Sequence, residues 1–170
     1  DDAHGLGIVD AAASMDIWMG TLSKSAGGYG GYITGSRVLI DYLINHARPA
    51  IFSTALPPAV CAAACAALTI ILREPERGAC AVELANRVAR ALGLPATPSA
   101  ILPIIVGDNQ KALHLSHALE EAGFLAPAIR PPTVPPGTAR LRLAFSCSHE
   151  DHDVERLVAV LREHQCAPCY

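Results

Sequence analysis

The stretch Asp16 to Gly31, DIWMGTLSKSAGGYGG, sets the frame for the rest of the chain. Its first part, Asp16 to Thr21, runs through Ile17, Trp18 and Met19 and predicts a buried strand. Ser23 to Gly31 is built almost wholly from small residues and predicts a loop that exposes its backbone. Tyr32 to Gly35 reads as the returning strand. Inside the loop stands Lys24, one of two lysines in the chain. An amine directly after a buried strand is open to desolvation, which lowers its pKa and frees it as a nucleophile or base. A solvated loop lysine is the plain alternative, and it is the reading that suits Lys111 on its polar helix face.

Upstream, Asp1 and His4 form a D-x-x-H pair at a strand end that runs through Gly5 and Gly7 into a loop. An acid and an imidazole so placed can hold a cofactor ring from two sides, although the pattern alone is common. Gly27, Gly28, Gly30 and Gly31 let backbone amides approach an anion, and Thr21, Ser23 and Ser25 add hydroxyls. The strand leads into Thr-Leu-Ser-Lys-Ser, which matches neither the Walker loop nor the G-x-G-x-x-G fingerprint, so nucleotide binding is disfavoured.

Downstream, Ser36 is placed to cap an amphipathic helix to about His46, with Leu39, Ile40, Leu43 and Ile44 at helical spacing. Ser53 to Pro58 breaks the chain, and Ala59 to Leu72 predicts a buried helix too short to span a bilayer, with Cys61 and Cys65 as small core residues. The polar Glu74 to Gly78 marks a junction between a domain over 1–74 and one over 75–170. Another helix then runs to about Leu92 before Gly93. A regular alternation follows: strand Ala100 to Val106, helix Asn109 to Ala122 with Asp108 and Asn109 as its turn and cap and Gly123 as its stop, strand Leu125 to Arg130, a proline-rich turn, strand Ala139 to Phe145 and helix His149 to Arg162. The second half is thus an α+β unit with a small sheet.

Composition agrees with a folded, soluble chain: 170 residues, 51% hydrophobic, net charge −3. Its eleven arginines are scattered and aromatic residues make up 5%, so nucleic acid is not an expected partner. No membrane association and a cytoplasmic location are expected, since the chain opens on Asp1 and Asp2 without a leader-like start. It opens without Met as well, and the natural N-terminus is expected upstream.

Taken in order, D-D-A-H-G, D-I-W-M-G-T-L-S-K-S, R-P-A-I-F-S-T-A-L-P-P, I-V-G-D-N and I-R-P-P-T-V-P-P-G-T-A-R-L-R resemble the α-oxoamine synthases, which are fold-type I pyridoxal phosphate enzymes. The resemblance covers Asp1 to about Leu161. It implies an α/β and α+β fold, with residues 1–74 ending the large-domain sheet and 75–170 forming the small C-terminal domain. It further implies that Lys24 binds pyridoxal phosphate as a Schiff base and later moves the α-proton. Asp1 would face the pyridine nitrogen and His4 the ring 3-hydroxyl. Thr21 would contact the phosphate, while Ser53 and Thr54 would reach the phosphate of a neighbouring subunit in a homodimer with a composite site. Arg142, and more weakly Arg130, would pair with the amino-acid carboxylate. The implied partners are an amino acid and an acyl thioester joined with loss of carbon dioxide. Segments Ile105 to Asn109 and Ile129 to Arg142 are most similar to the branch that joins alanine to a pimeloyl thioester; glycine- and serine-using branches are the alternatives.

The same resemblance implies a large N-terminal portion ahead of Asp1. It also implies a longer segment where only Ile8 to Met15 separate Gly7 from Asp16, a shortening of about a dozen residues. Apolar surface and sheet edge are then expected to be left uncovered. Two rival readings stand beside it. One is a remnant or interaction domain without activity. The other is a metal site from His149, His152, His164, Cys166 and Cys169, for which the full ligand spacing is missing.

Overall fold

In the computed structural model residues 1–8 and 15–164 are described, and the chain divides into two units, Asp1–Glu76 and Arg77–Tyr170. In the first, β1 (Ile17–Thr21) and β2 (Gly31–Gly35) pair antiparallel, with Ile17 opposite Gly35 and Thr21 opposite Gly31. Side chains alternate between faces. Trp18, Gly20 and Tyr32 therefore share one face, where the Trp18 and Tyr32 rings meet edge-on at 5.9 Å. The strand is not buried as its sequence predicted: within it only Gly20 is buried, and Ile17, Met19 and, across in β2, Ile33 are exposed. Ile17, Met19 and Ile33 lie on the face opposite Trp18 and Tyr32, and a two-stranded sheet leaves that face open among the described residues of this unit.

Ser36 caps α1 (Arg37–His46), its hydroxyl accepting from Leu39 N–H at 3.3 Å. Leu39, Ile40 and Leu43 are half-buried. After α2 (Arg48–Ile51) comes α3 (Pro58–Arg73), started by a proline whose missing N–H costs nothing in the first turn. The expectation of a buried α3 is overturned. Ala64 is its one buried residue, Leu72 is 81% exposed, and Cys61 and Cys65 are exposed free thiols rather than core. The helix is apolar all round, and a unit with one hairpin can cover only a strip of it.

The second unit has a core of its own. β3 (Ile101–Gly107), β4 (Ala128–Ile129) and β5 (Ala139–Ala144) form an antiparallel sheet in the order β3-β5-β4. One face presents Leu102, Ile104, Leu141 and Leu143, and these pack with Leu84, Val88, Leu115, Leu119, Leu157 and Leu161 from α4 (Glu76–Ala91), α5 (Asn109–Glu121) and α6 (Asp151–Glu163). Each such leucine contributes roughly 1.5–3 kcal/mol by leaving water. The opposite face carries Pro103, Ile105, Arg140 and Arg142.

Asp108 caps α5 by accepting from Lys111 N–H at 2.8 Å, and Gly123 with φ 90° ends it. The strand expected over Leu125 to Arg130 shrinks to Ala128–Ile129. Pro127 and Pro131 flank the pair without N–H groups, Ser116 takes the Ala126 carbonyl at 2.6 Å, and Leu125 is 89% exposed. The last helix starts at Asp151 rather than His149, because the His149 ring accepts from Ser146 N–H at 3.2 Å in the turn ahead of it. Among the described residues no single helix is long and apolar enough to cross a membrane.

Candidate functional site

The β1–β2 connection carries Lys24. Its backbone is closed from within: Leu22 N–H donates to Gly30 O at 2.9 Å, Gly28 N–H to Leu22 O at 2.8 Å and Gly27 N–H to Lys24 O at 2.9 Å. Gly27 has φ 58° and Gly30 φ 118°, conformations that side-chain-bearing residues rarely adopt. The amides of Gly27 and Gly28 are thus spent on the turn, which corrects the expectation that they face an anion.

What the loop presents outward is a side chain. Lys24 is exposed within its unit rather than desolvated, and its Nζ lies 3.0 Å from His4 Nε2. Twenty residues of chain separate the two. Thr21 donates its hydroxyl to Gly30 O at 3.1 Å and shares a hydrogen bond with the Ser23 hydroxyl at 2.8 Å, so the hydroxyls three and one residues before the lysine form one cluster. Asp1 is exposed, its carboxylate accepting from Ala3 N–H at 3.0 Å.

Ser53 donates its hydroxyl back to Pro49 O, and Thr54 is exposed in the connection before α3. Arg142 and Arg130 belong to the second unit. Arg142 is exposed on β5 opposite Pro103, its backbone N–H donating to Pro127 O at 3.1 Å, and Arg130 is exposed just after β4.

Three residues that the sequence reading passed over stand beside this site. Asp2 accepts from the Trp18 indole N–H at 3.0 Å, and its N–H donates to Met19 O at 2.8 Å. The Tyr32 hydroxyl is buried without a hydrogen-bond partner among the described residues, and its pKa is pushed up by burial and, secondarily, by the Asp2 carboxylate. The available signals were the chain's single tryptophan and the doubled aspartate.

Among the described residues no cluster of side chains fit to hold a metal forms at the tail. His149 lies in the turn ahead of α6 and His152 in its first turn, while His164 caps its far end, about 18 Å along the helix from His152. His152 instead faces Glu150 at 3.3 Å and Asp153 at 3.1 Å. Cys166, Cys169 and the shortened segment after Ile8 lie outside the described residues.

The sequence profile described as "Aminotransferase class I and II" matches residues 2–161. The chain belongs to the class I and II aminotransferase family. Within this aminotransferase family it is 55% identical over 161 residues to an 8-amino-7-oxononanoate synthase from Methylobacterium sp. (strain 4-46), covering 95% of this chain and 42% of that protein. It is 54% identical to the synthase of the same name from Methylobacterium nodulans, covering 96% and 43%. The chain thus spans about two fifths of the length of these curated relatives. Among solved structures, Sphingomonas wittichii serine palmitoyltransferase superposes with a TM-score of 0.86 at 28% identity, over 98% of this chain and 47% of that one. An 8-amino-7-oxononanoate synthase from Francisella tularensis gives 0.73 at 24% identity over 86% and 44%, a likeness of fold. The fold is accordingly that of part of a fold-type I enzyme, mixing an α/β and an α+β unit.

Proposed function

We propose that this chain is the C-terminal part of a pyridoxal-phosphate-dependent acyltransferase that condenses alanine with a pimeloyl thioester to give 8-amino-7-oxononanoate, the biotin precursor. The observation that carries the reading is the 3.0 Å approach of Lys24 Nζ to His4 Nε2. It joins an exposed amine to an imidazole, with an exposed carboxylate, Asp1, three residues before that imidazole. This donor set fits the cofactor. Lys24 would hold it, Asp1 would face its ring nitrogen, His4 its 3-hydroxyl, and Thr21 its phosphate. Bound pyridoxal phosphate supplies an electron sink for the charge left at the amino acid's α-carbon.

The chain's own residues do the rest. Lys24 Nζ takes the α-proton and returns one, with His4 as the neighbouring group that orients it. Arg142, with Arg130 second, binds the amino-acid carboxylate, where the planar guanidinium suits a planar anion. Ser53 and Thr54 serve the phosphate of a second copy, so the working enzyme is a homodimer, cytoplasmic and without nucleic-acid or membrane partners. Alanine rather than serine is favoured because identity to the oxononanoate synthases is 55% against 28% for the palmitoyltransferase, and fold alone is shared across substrates.

The test is an absorbance spectrum of the purified chain after incubation with pyridoxal phosphate and desalting. A retained visible band is expected, and Lys24→Ala should abolish it. A colourless chain, or a band unchanged in Lys24→Ala, sinks the reading and leaves a remnant.

A further inference from the structure

The segment Asp1 to Gly5 is held on β1 at two consecutive residues. Asp2 N–H donates to Met19 O at 2.8 Å and the Asp2 carboxylate accepts from Trp18 Nε1 at 3.0 Å. The carboxylate also fills the space beside Gly5, where a Cβ would lie 2.1 Å from either oxygen. Trp18 is braced in turn. Its ring meets Tyr32 edge-on at 5.9 Å, and the Tyr32 phenol occupies the space over Gly20, where a Cβ would lie 2.4 Å from the hydroxyl. Burial first and the Asp2 carboxylate second raise the Tyr32 pKa. Ala3 and His4 stand between Asp2 and Gly5, so the ties on those two flanking residues limit where the His4 ring can go. That ring meets Lys24 Nζ at 3.0 Å.

We infer that Asp2 is a positioning residue: gripped by the Trp18 indole and the Met19 carbonyl, it sets the Asp1–Gly5 turn on β1 so that the His4 imidazole meets the Lys24 amine. The inference deepens the proposed function and rests on it for the roles of Lys24 and His4. The geometry itself needs no cofactor.

The experiment is competitive acetylation of the full chain with acetic anhydride, without cofactor, reading Lys24 against Lys111 by peptide mass spectrometry. Lys111 is exposed on α5 and serves as the internal reference. Whether Lys24 donates to His4 or accepts from it, the hydrogen bond occupies the amine, so breaking it raises the Lys24-to-Lys111 ratio. His4→Ala sets the scale, with a rise of about two- to tenfold expected from the net worth of one hydrogen bond. Asp2→Ala and Trp18→Phe should give the same rise. Asp2→Asn, whose amide oxygen still accepts from the indole, should stay at the wild-type ratio.

The proposal is overturned if Asp2→Ala or Trp18→Phe stays at the wild-type ratio. It is overturned as well if His4→Ala has no effect, or if Asp2→Asn matches Asp2→Ala, which would make the effect one of charge. Trp18→Phe keeps the carboxylate and an aromatic ring, so its result stands where Asp2→Ala fails to fold. Because no cofactor is present, a missing visible band beside the expected labelling pattern would sink the proposed function alone.

Discussion

Leu141→Ala is the perturbation that tests most directly how packing holds Arg142 in place. Leu141 is fully buried in the middle strand of the second unit, opposite Ile104 on one side and Ala128 on the other, while Arg140 and Arg142 flank it on the outer face. Truncation removes about three methylene equivalents, or about 2.4 kcal/mol of transfer free energy at about 0.8 each. A cavity enclosed by two strands and the helices behind them adds to this, for a total of about 3–4 kcal/mol. A domain of this size has about 5–15 kcal/mol to lose, so the variant remains folded. Hydrogen exchange read by mass spectrometry reports opening of this unit alone. Amides of β3 and β5 should exchange about 10²- to 10³-fold faster than in the parent chain. Leu125→Ala is the control, since that side chain is 89% exposed and its loss should change exchange by no more than about twofold. Exchange in Leu141→Ala within about threefold of the parent, or equal effects of the two substitutions, would refute the account of this core.

Two further outcomes follow from named contacts. Tyr32 has a pKa raised above the usual tyrosine value of 10.0, so an ultraviolet pH titration should show a phenol ionising above that value, and Tyr32→Phe should remove that component. The folded state here favours the protonated phenol, so the stability it contributes is complete below pH 10.0 and is lost as pH rises through the higher folded value. Asp108→Ala should cost about 1 kcal/mol by freeing the Lys111 amide, seen as about fivefold faster exchange in the first turn of α5; Asp108→Ser should restore most of it.

Sequence alone determined what local physics decides. Ser36 and Asp108 were legible as caps because the acceptor and the amide it serves lie three residues apart. β3 and β5 were legible because alternation separates Leu141 and Leu143 from Arg140 and Arg142 within one short run. Lys24 stood out by its rarity and its loop, and the ordered motif set pointed to the family without any structure. Tertiary structure decided everything that depends on a partner far along the chain. Apolar composition predicts that α3 wants cover but not whether cover exists, and in this unit it does not. The Leu125 to Arg130 strand was cut short by Ser116, ten residues upstream of the carbonyl it captures. The meeting of Lys24 with His4, and the grip of Trp18 on Asp2 behind it, join residues 20 and 16 positions apart. No periodicity reaches across such gaps, because they close only when β1 folds back on the turn that precedes it.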